Sequence, residues 1–175
     1  MKKIVFDLEA DGLLEDAASL HCICGKEVGS DNKFSLYLNN LNQESITAQF
    51  LLYDRIIGHN ILAYDIPMIK KFYNVDLINL FGIENIVDTY VLSRLLHPDR
   101  ELPKGCPTVI KNPVSGKSKK IGPHGLEAWG YRVGHKKIEI HDCRFFTEEI
   151  IDRCQTDCMI NELVYFELMK EAGIL

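Results

Sequence analysis

The chain has 175 residues, of which 46% are hydrophobic and 26% are charged, and its net charge is −5 at pH 7. This length fits a single domain over residues 1–175, and the hydrophobic fraction is too high for a disordered chain. The acidic balance excludes a general attraction to nucleic acid, so such a contact must depend on a local basic patch or on bound metal. No apolar run approaches the ~20 residues that span a bilayer, and the N-terminus lacks the pattern of a signal peptide. We therefore expect no membrane association and a cytoplasmic location with reduced cysteines.

The order of apolar patterns predicts an α/β domain with a mixed sheet covered by helices. Asp88 is a suitable N-cap for one helix, and Pro98 follows the end of that helix. The predicted elements follow one another along the chain: strands at 3–9, 20–28 and 33–38, a helix at 43–52, a strand at 55–60, and helices at 66–73, 89–96 and 148–170.

Residues 104–120 interrupt this pattern, because they contain prolines and glycines without periodicity. They also contain five lysines and no acidic residue: Lys104, Lys111, Lys117, Lys119 and Lys120. Loops of this length are uncommon in compact domains and are often functional. The local positive charge favours a nucleic-acid contact over the alternative of a solvated surface hairpin.

Asp7 and Glu9 are two residues apart on the first predicted strand, so their side chains lie on the same face. Two neighbouring acids at the end of a core strand repel each other, and a bound divalent cation removes that repulsion. Ligand sets made of oxygen favour magnesium or manganese. The alternative is a strand that becomes solvent-exposed from Asp7 onward.

Two further acids follow in less obvious positions. Asp65 precedes a predicted helix, where it is either a plain N-cap or part of an anion- or metal-binding site at the end of a strand. Asp157 shares a helix face with mainly apolar residues, so it faces the core or the lip of a cleft. A buried charge requires a metal, a cation or protonation, and Arg153, one turn earlier, is the simplest partner.

Three motifs occur in one order: Asp7-x-Glu9, then His59-Asn60-x-x-x-Tyr64-Asp65, then Asp157 on a late helix. They resemble the exonuclease motifs of DnaQ-like, DEDD-type 3′–5′ exonucleases. The segments 88–96 and 124–132 are similar to the proofreading domain of podophage family A DNA polymerases. The resemblance extends from residue 4 to about residue 157.

This resemblance implies a ribonuclease-H-like fold with a five-stranded mixed sheet, and phosphodiester hydrolysis with two Mg²⁺ or Mn²⁺ ions. Asp7 would bridge both ions, Glu9 and Asp157 would complete the first site, and Asp65 would hold the second. His59 and Asn60 would shape the cleft beside the terminal nucleotide. A second group either forms the wall beside the terminal base or packs in the core: Leu8, Ala10 and Tyr64.

The third motif departs from the family. The family places a tyrosine four residues before the last acid or a histidine five before it, and here those positions hold Arg153 and Asp152. Arg153 either pairs with Asp157 or the scissile phosphate, or it replaces a water-orienting group at a cost in rate.

The resulting prediction is a 3′–5′ exonuclease of single-stranded DNA ends, working in the bacterial host of a phage. In the phage family the domain is fused to a polymerase, so this chain is expected to be either a free-standing exonuclease or the separately encoded proofreading partner of a DNA polymerase. Two alternatives stay open. One is an RNA-directed 3′–5′ exoribonuclease, and the other is a non-catalytic module that binds DNA ends or docks on a polymerase.

Overall fold

The computed structural model describes residues 1–113, 116–140 and 142–175. The strands within these residues are β1 Lys3–Ala10, β2 Leu20–Glu27, β3 Lys33–Tyr37, β4 Arg55–Gly58, β5 Ile86–Asp88, β6 Val109–Lys111 and β7 Ser118–Lys120. The α-helices are α1 Gln43–Phe50, α2 Asp65–Tyr73, α3 Leu77–Phe81, α4 Thr89–Leu96, α5 Leu126–Val133 and α6 Glu148–Glu171.

Five strands form one mixed sheet in the order β3-β2-β1-β4-β5. β1 and β3 are antiparallel to β2, whereas β4 is parallel to both β1 and β5. In this register Val5 pairs with Ile57, and Gly58 pairs with Asp88. The carboxyl ends of β1, β4 and β5 therefore meet at one edge of the sheet, where α/β proteins commonly bind ligands.

β1 is buried on both faces because helices cover both sides of the sheet. On one side Phe6 lies edge-to-face against Phe50 of α1, with 5.0 Å between ring centroids. Alternate residues of β1 belong to this core, which α1 and α2 cover: Ile4, Phe6, Leu8 and Ala10. On the other side, Val5 belongs to a second core with Ile150 of α6. This alternation directs the side chains of Asp7 and Glu9 toward α6.

Four cysteines fill the space between β2 and α6: Cys22, Cys24, Cys154 and Cys158. Cys154 Sγ donates to the Asp7 carbonyl oxygen at 3.2 Å, and Cys158 Sγ donates to the Cys24 carbonyl oxygen at 3.4 Å. Burial raises the pKa of Cys158 to about 11, so it is a neutral thiol at physiological pH. These side chains act as small apolar groups that let α6 approach the sheet closely.

The long helix α6 also forms a core with α4 and α5. Trp129 of α5 is 1% exposed and packs against Ile160 and Val164 of α6. Because α6 contacts both the sheet and these helices, its position relative to the sheet edge is fixed along its length.

The observed elements agree with the predicted ones to within one or two residues at most ends. α3, β5 and α5 are absent from the predicted elements. The first two have five and three residues, which are too few to show a helix or strand period. Within 104–120, β6 and β7 form an antiparallel hairpin outside the main sheet. Residues 114 and 115 of that segment lie outside the described residues. In the described part of the chain, no helix combines the length and the apolar character needed to cross a membrane.

Candidate active site

Three carboxylates converge at the sheet edge where β1, β4 and β5 end. Asp7 and Glu9 come from β1 and Asp157 comes from α6, and one oxygen of each lies within 4.8 Å of the others. Asp157 is only 2% exposed although its side chain is a carboxyl group. As the spacing predicted, Asp7 and Glu9 share a face, and Asp157 lies on the buried stripe of its helix.

Asp65 lies beside this group but is not one of the three. It is the first residue of α2, and the N-cap of that helix is Tyr64. The reading of Asp65 as a plain N-cap is therefore wrong. Its Oδ1 instead accepts a hydrogen bond from the Leu8 backbone N–H at 3.1 Å, which holds the carboxylate against β1 between Asp7 and Glu9.

Burial and mutual repulsion disfavour negative charge at this site. Burial, then Asp157 and Asp65, raises the pKa of Asp7 well above its ordinary value. Burial also raises the pKa of Glu9, although Arg153 opposes the shift. For Asp65, burial raises the pKa to about 8. Without a bound cation, these acids therefore do not all ionise at their ordinary pKa values, because burial and mutual repulsion disfavour the negative charges.

The residues fit a hard divalent cation. The donors are all carboxylate oxygens, which suit Mg²⁺ and Mn²⁺ better than softer metals. Asp157 Oδ1 is buried and has no hydrogen-bond partner among the described residues. A buried oxygen of this kind is costly unless a ligand satisfies it, and a cation bound by Asp7, Glu9 and Asp157 would do so.

We expect the free energy of unfolding of the metal-free protein to fall as pH rises from about 6.5 to about 8.5. The pKa of Asp65, about 8 when folded, means that the folded state keeps a proton that the unfolded state has already released. A raised carboxyl pKa contributes stability that is lost as pH rises through it, by up to ~1.4 kcal/mol per pH unit for one proton. The range begins at the ordinary histidine pKa, above which histidine titration contributes little.

Thermal unfolding in EDTA across this range measures the effect. Asp65→Asn should flatten the dependence, and added Mg²⁺ should raise the Tm most at the alkaline end. A Tm of the wild-type protein that rises with pH in EDTA would contradict the expectation.

Two cations from outside the carboxylate group contact it. Lys137 Nζ forms an ion pair with Asp157 Oδ2, and Arg153 Nε lies 2.8 Å from Glu9 Oε1. Burial acts to lower the pKa of Lys137, but Asp157 and Asp7 outweigh it and raise that pKa. The expected pairing of Arg153 with Asp157 is therefore not the ion pair observed. Lys137 takes Asp157, and Arg153 reaches across to Glu9 on β1.

Hydrogen bonds at the ends of β4 and β5 hold His59 and Asn60, the first two residues of the second motif. Thr89 Oγ1 donates to Asn161 Oδ1 at 2.7 Å and lies 2.9 Å from His59 Nδ1. His59 Nε2 is buried and has no hydrogen-bond partner among the described residues. Burial, and then the nearby Lys137, lowers the pKa of His59 to about 3, so the ring is neutral.

Asp88 fixes the turn that carries Asn60. Its Oδ1 accepts from the Asn60 backbone N–H at 2.9 Å, and its Oδ2 accepts from the Leu62 N–H at 3.1 Å. Asn60 has a φ of 64°, in the left-handed region that asparagine tolerates better than most residues. Asp88 also caps α4, as predicted, through the Tyr90 N–H at 3.0 Å.

The three candidates for the wall beside the terminal base differ in position. Leu8 and Ala10 are 4% and 8% exposed and belong to the core on the face of β1 opposite the carboxylates. For these two, the structure supports core packing instead of a substrate contact, because alternate side chains of a strand point apart. Tyr64 is half-buried, and its hydroxyl donates to the Gly12 carbonyl oxygen at 2.7 Å.

Lys137, which contacts Asp157, lines two cavities of about 330 and about 400 Å³, a size typical of ligand sites, whereas none of the four acids of the site is among the described residues that line either cavity. Three residues line both: Lys119, Glu127 and Lys137. The first cavity also contains Lys117 and Arg153, and the second contains His59, Asn60 and Lys120. Lys104 and Lys111 are exposed and are not among the residues that line these two cavities.

The sequence did not predict the place of Lys137 or of Glu127. Lys137 follows α5 in the 134–140 segment, which has no regular structure, so no periodicity fixes its direction. The one available signal was the requirement of Asp157 for a cation, and that requirement did not specify which cation.

Sequence comparison relates this chain to two phage enzymes. It is 34% identical over 149 residues to the DNA-directed DNA polymerases of Escherichia phage T7 and Enterobacteria phage T3. The match covers 79% of this chain and 20% of each polymerase, so the chain spans about a fifth of the length of these relatives. No family model matches the chain.

Structure comparison relates nearly the whole chain to nucleases. NrnC of Brucella melitensis with bound Mg²⁺ aligns with a TM-score of 0.63 and 14% identity, over 98% of this chain and 75% of that one. Exonuclease I of E. coli in complex with a dT13 oligonucleotide aligns with a TM-score of 0.56 and 13% identity, over 98% and 42%. At this identity the similarity concerns the fold, and it confirms the predicted five-stranded, ribonuclease-H-like architecture. The chain therefore has the fold of the DnaQ-like exonucleases and is related in sequence to the T7-type phage DNA polymerases, whose proofreading domain its motifs resemble.

Proposed function

We propose that the protein is a metal-dependent 3′–5′ exonuclease that removes nucleotides from single-stranded DNA ends. One observation carries the proposal: oxygens of Asp7, Glu9 and Asp157 converge within 4.8 Å at the sheet edge, in a fold shared with nucleases. Such a group of charges is costly to bury unless a cation uses it. The relation to phage DNA polymerases favours DNA as the substrate.

The acids have distinct proposed roles. The other three carboxylates all raise the pKa of Asp7, after burial, so Asp7 is near each of them. Asp7 would contact two ions, with Glu9 and Asp157 completing one site and Asp65 the other. Two such ions, when bound, supply activation of a water molecule and stabilisation of the leaving 3′ oxygen. Glu9 would orient that water. The Leu8 N–H holds the Asp65 carboxylate at 3.1 Å, so this side chain needs little reorganisation to act.

His59, Asn60 and Tyr64 would hold the terminal nucleotide. His59 is neutral, and its buried Nε2 has no hydrogen-bond partner among the described residues. A sugar hydroxyl both donates and accepts, so it can pair with this nitrogen in either tautomer of the ring. Asn60 and His59 line the second cavity, which is large enough for a ligand. This arrangement supports a site that reads the end of a strand by its sugar.

The test is digestion of 3′- and 5′-labelled single-stranded DNA and RNA with Mg²⁺ or Mn²⁺. Stepwise loss from the 3′ end of DNA, abolished by EDTA, is the expected result. Faster digestion of RNA would favour the exoribonuclease instead, since only contacts with the 2′-hydroxyl separate the two activities.

The non-catalytic module has one observation in its favour. Arg153 Nε lies 2.8 Å from Glu9 Oε1 and so neutralises a proposed metal ligand. Binding of labelled DNA ends without release of nucleotides, in the presence of saturating metal, would establish this second function.

The proposal also includes the extent of the domain, its partner and its place of action. Residues 1–175 would act as one exonuclease domain, with the basic segment 104–120 as part of its DNA-binding surface. A DNA polymerase encoded separately is the proposed partner, supported by the sequence relation to the phage polymerases. The proposed place of action is the cytoplasm of a bacterial host.

Neutralising Lys119 and Lys120 should reduce the salt dependence of single-stranded DNA binding. Both lysines line the second cavity, and each phosphate contact contributes about 0.7 to the slope of log K against log salt. The double variant Lys119→Gln/Lys120→Gln should therefore lower the slope by about 1.4. Binding is measured by fluorescence anisotropy with Ca²⁺ in place of Mg²⁺.

The matched comparison is Lys104→Gln/Lys111→Gln, which removes the same charge from lysines outside both cavities. We expect a smaller change in slope for this pair. An unchanged slope in both double variants would make the segment a solvated hairpin.

A further inference from the structure

Lys137 and a divalent cation require the same carboxylate. Lys137 Nζ is ion-paired with Asp157 Oδ2, and Asp157 is one of the three converging acids. The Lys137 side chain is 17% exposed, so its ammonium lies within the carboxylate group and not in bulk solvent. Two positive charges a few ångströms apart repel strongly in such a partly buried place. A cation on Asp157 and the Lys137 ion pair therefore oppose each other.

The backbone around Lys137 is fixed on both sides. The His135 N–H donates to the Gly130 carbonyl oxygen at 2.9 Å, and a Cβ at Gly130 would lie 2.5 Å from the His135 carbonyl oxygen. Lys136 Nζ lies 5.1 Å from the centre of the Tyr131 ring, and Ile140 packs against the core beneath α6. Lys137 can thus respond to a cation mainly through its flexible four-carbon side chain.

The two cavities that Lys137 lines give its ammonium an alternative position. Lys137 and Lys119 line both of them. Partial burial, and then the charges of Lys137 and Arg153, lowers the pKa of Lys119, so these cations act on one another. Clustered ammonium groups attract phosphate, whose oxygens accept charge-assisted hydrogen bonds.

We propose that Lys137 competes with the divalent cation for Asp157, and that the displaced ammonium binds a phosphate of the nucleic-acid strand beside Lys119. The proposal rests on the proposed function, because it uses the same carboxylates and the same strand. Lys137 is then a positioning residue that links the two ligands. Metal binding frees the ammonium for phosphate, and by reciprocity bound phosphate strengthens metal binding.

Lys137→Met separates the two effects, because it removes the charge and keeps most of the side-chain volume. Mn²⁺ affinity without nucleic acid, measured by calorimetry, should increase roughly tenfold, a typical coupling for charged groups in contact. The affinity for an oligothymidylate in saturating Ca²⁺ should fall by about the same factor. Lys136→Met, on the same segment but stacked on Tyr131, should change neither affinity.

An unchanged or weaker Mn²⁺ affinity in Lys137→Met would overturn the competition, and an unchanged oligothymidylate affinity would overturn the phosphate contact. If Lys137→Met does not fold, Lys137→Gln carries the same test, since it removes the charge and its amide can donate a hydrogen bond to Asp157. Neither measurement depends on hydrolysis. A wild-type protein that binds both ligands without releasing nucleotides would contradict the proposed function and leave the competition standing.

Discussion

Asp7→Ala is expected to abolish the release of nucleotides from single-stranded DNA while the protein stays folded. Asp157 and Asp65 both raise the pKa of Asp7, so Asp7 is near the acids of both proposed metal sites. Its removal takes away the ligand that is proposed to contact both ions. Charge stabilisation by bound metal contributes several kcal/mol to such reactions, so the loss of rate should be on the order of 10³ or more.

The fold should tolerate this substitution and even gain from it. Burial and neighbouring acids raise the pKa of Asp7 well above its ordinary value, which means that the folded state holds this charge at a cost. In EDTA at neutral pH, the Tm of Asp7→Ala should therefore equal or exceed that of the wild type.

The measurements are release of the labelled 3′ nucleotide in Mg²⁺ and thermal unfolding in EDTA. Asp31→Ala is the control, because Asp31 is an exposed acid in the turn between β2 and β3. Nearly wild-type release by Asp7→Ala would contradict the two-metal assignment. A large loss of Tm would show instead that Asp7 is needed for the fold.

Arg153→Tyr is expected to raise the turnover of single-stranded DNA at saturating Mg²⁺ by a factor on the order of 10²–10³. Arg153 lies four residues before Asp157, where the family that the motifs resemble is expected to place a tyrosine or, one position earlier, a histidine. Its Nε lies 2.8 Å from Glu9 Oε1, so its charge is held against the acid proposed to orient the attacking water. Arginine does not accept a proton, since its guanidinium stays protonated in proteins. A tyrosine would hydrogen-bond the water without adding charge beside two cations.

Arg153→Lys is the matched control, because it keeps the positive charge near Glu9 and removes the planar group. We expect its turnover to stay near that of the wild type. A fall in turnover for Arg153→Tyr would mean that the arginine takes part in the mechanism, through the transition-state charge on the phosphate. If neither variant nor wild type releases nucleotides with metal bound, the binding module is the better description.

Much of the fold and the outline of the site could be predicted because the relevant signals are local. Strand alternation placed Asp7 and Glu9 on one face, and helical spacing placed Asp157 among buried residues. The N-cap of α4 at Asp88 could also be predicted, since it depends only on the next three residues. The further hydrogen bonds of Asp88 to Asn60 and Leu62 could not be predicted, because they join residues 28 and 26 positions apart.

The sequence alone therefore determined which acids lie on which face of which element, because the periods of strand and helix fix those directions. Only the tertiary structure decided their partners. Lys137 contacts Asp157 because α5 ends at Val133, with Gly134 as its C-cap, and the aperiodic 134–140 segment returns toward α6. Arg153 contacts Glu9 because the buried cysteines let α6 approach β1 closely. An ion pair in a low-dielectric site depends on distances of a few ångströms between distant segments, and those distances are set by packing and not by any local period.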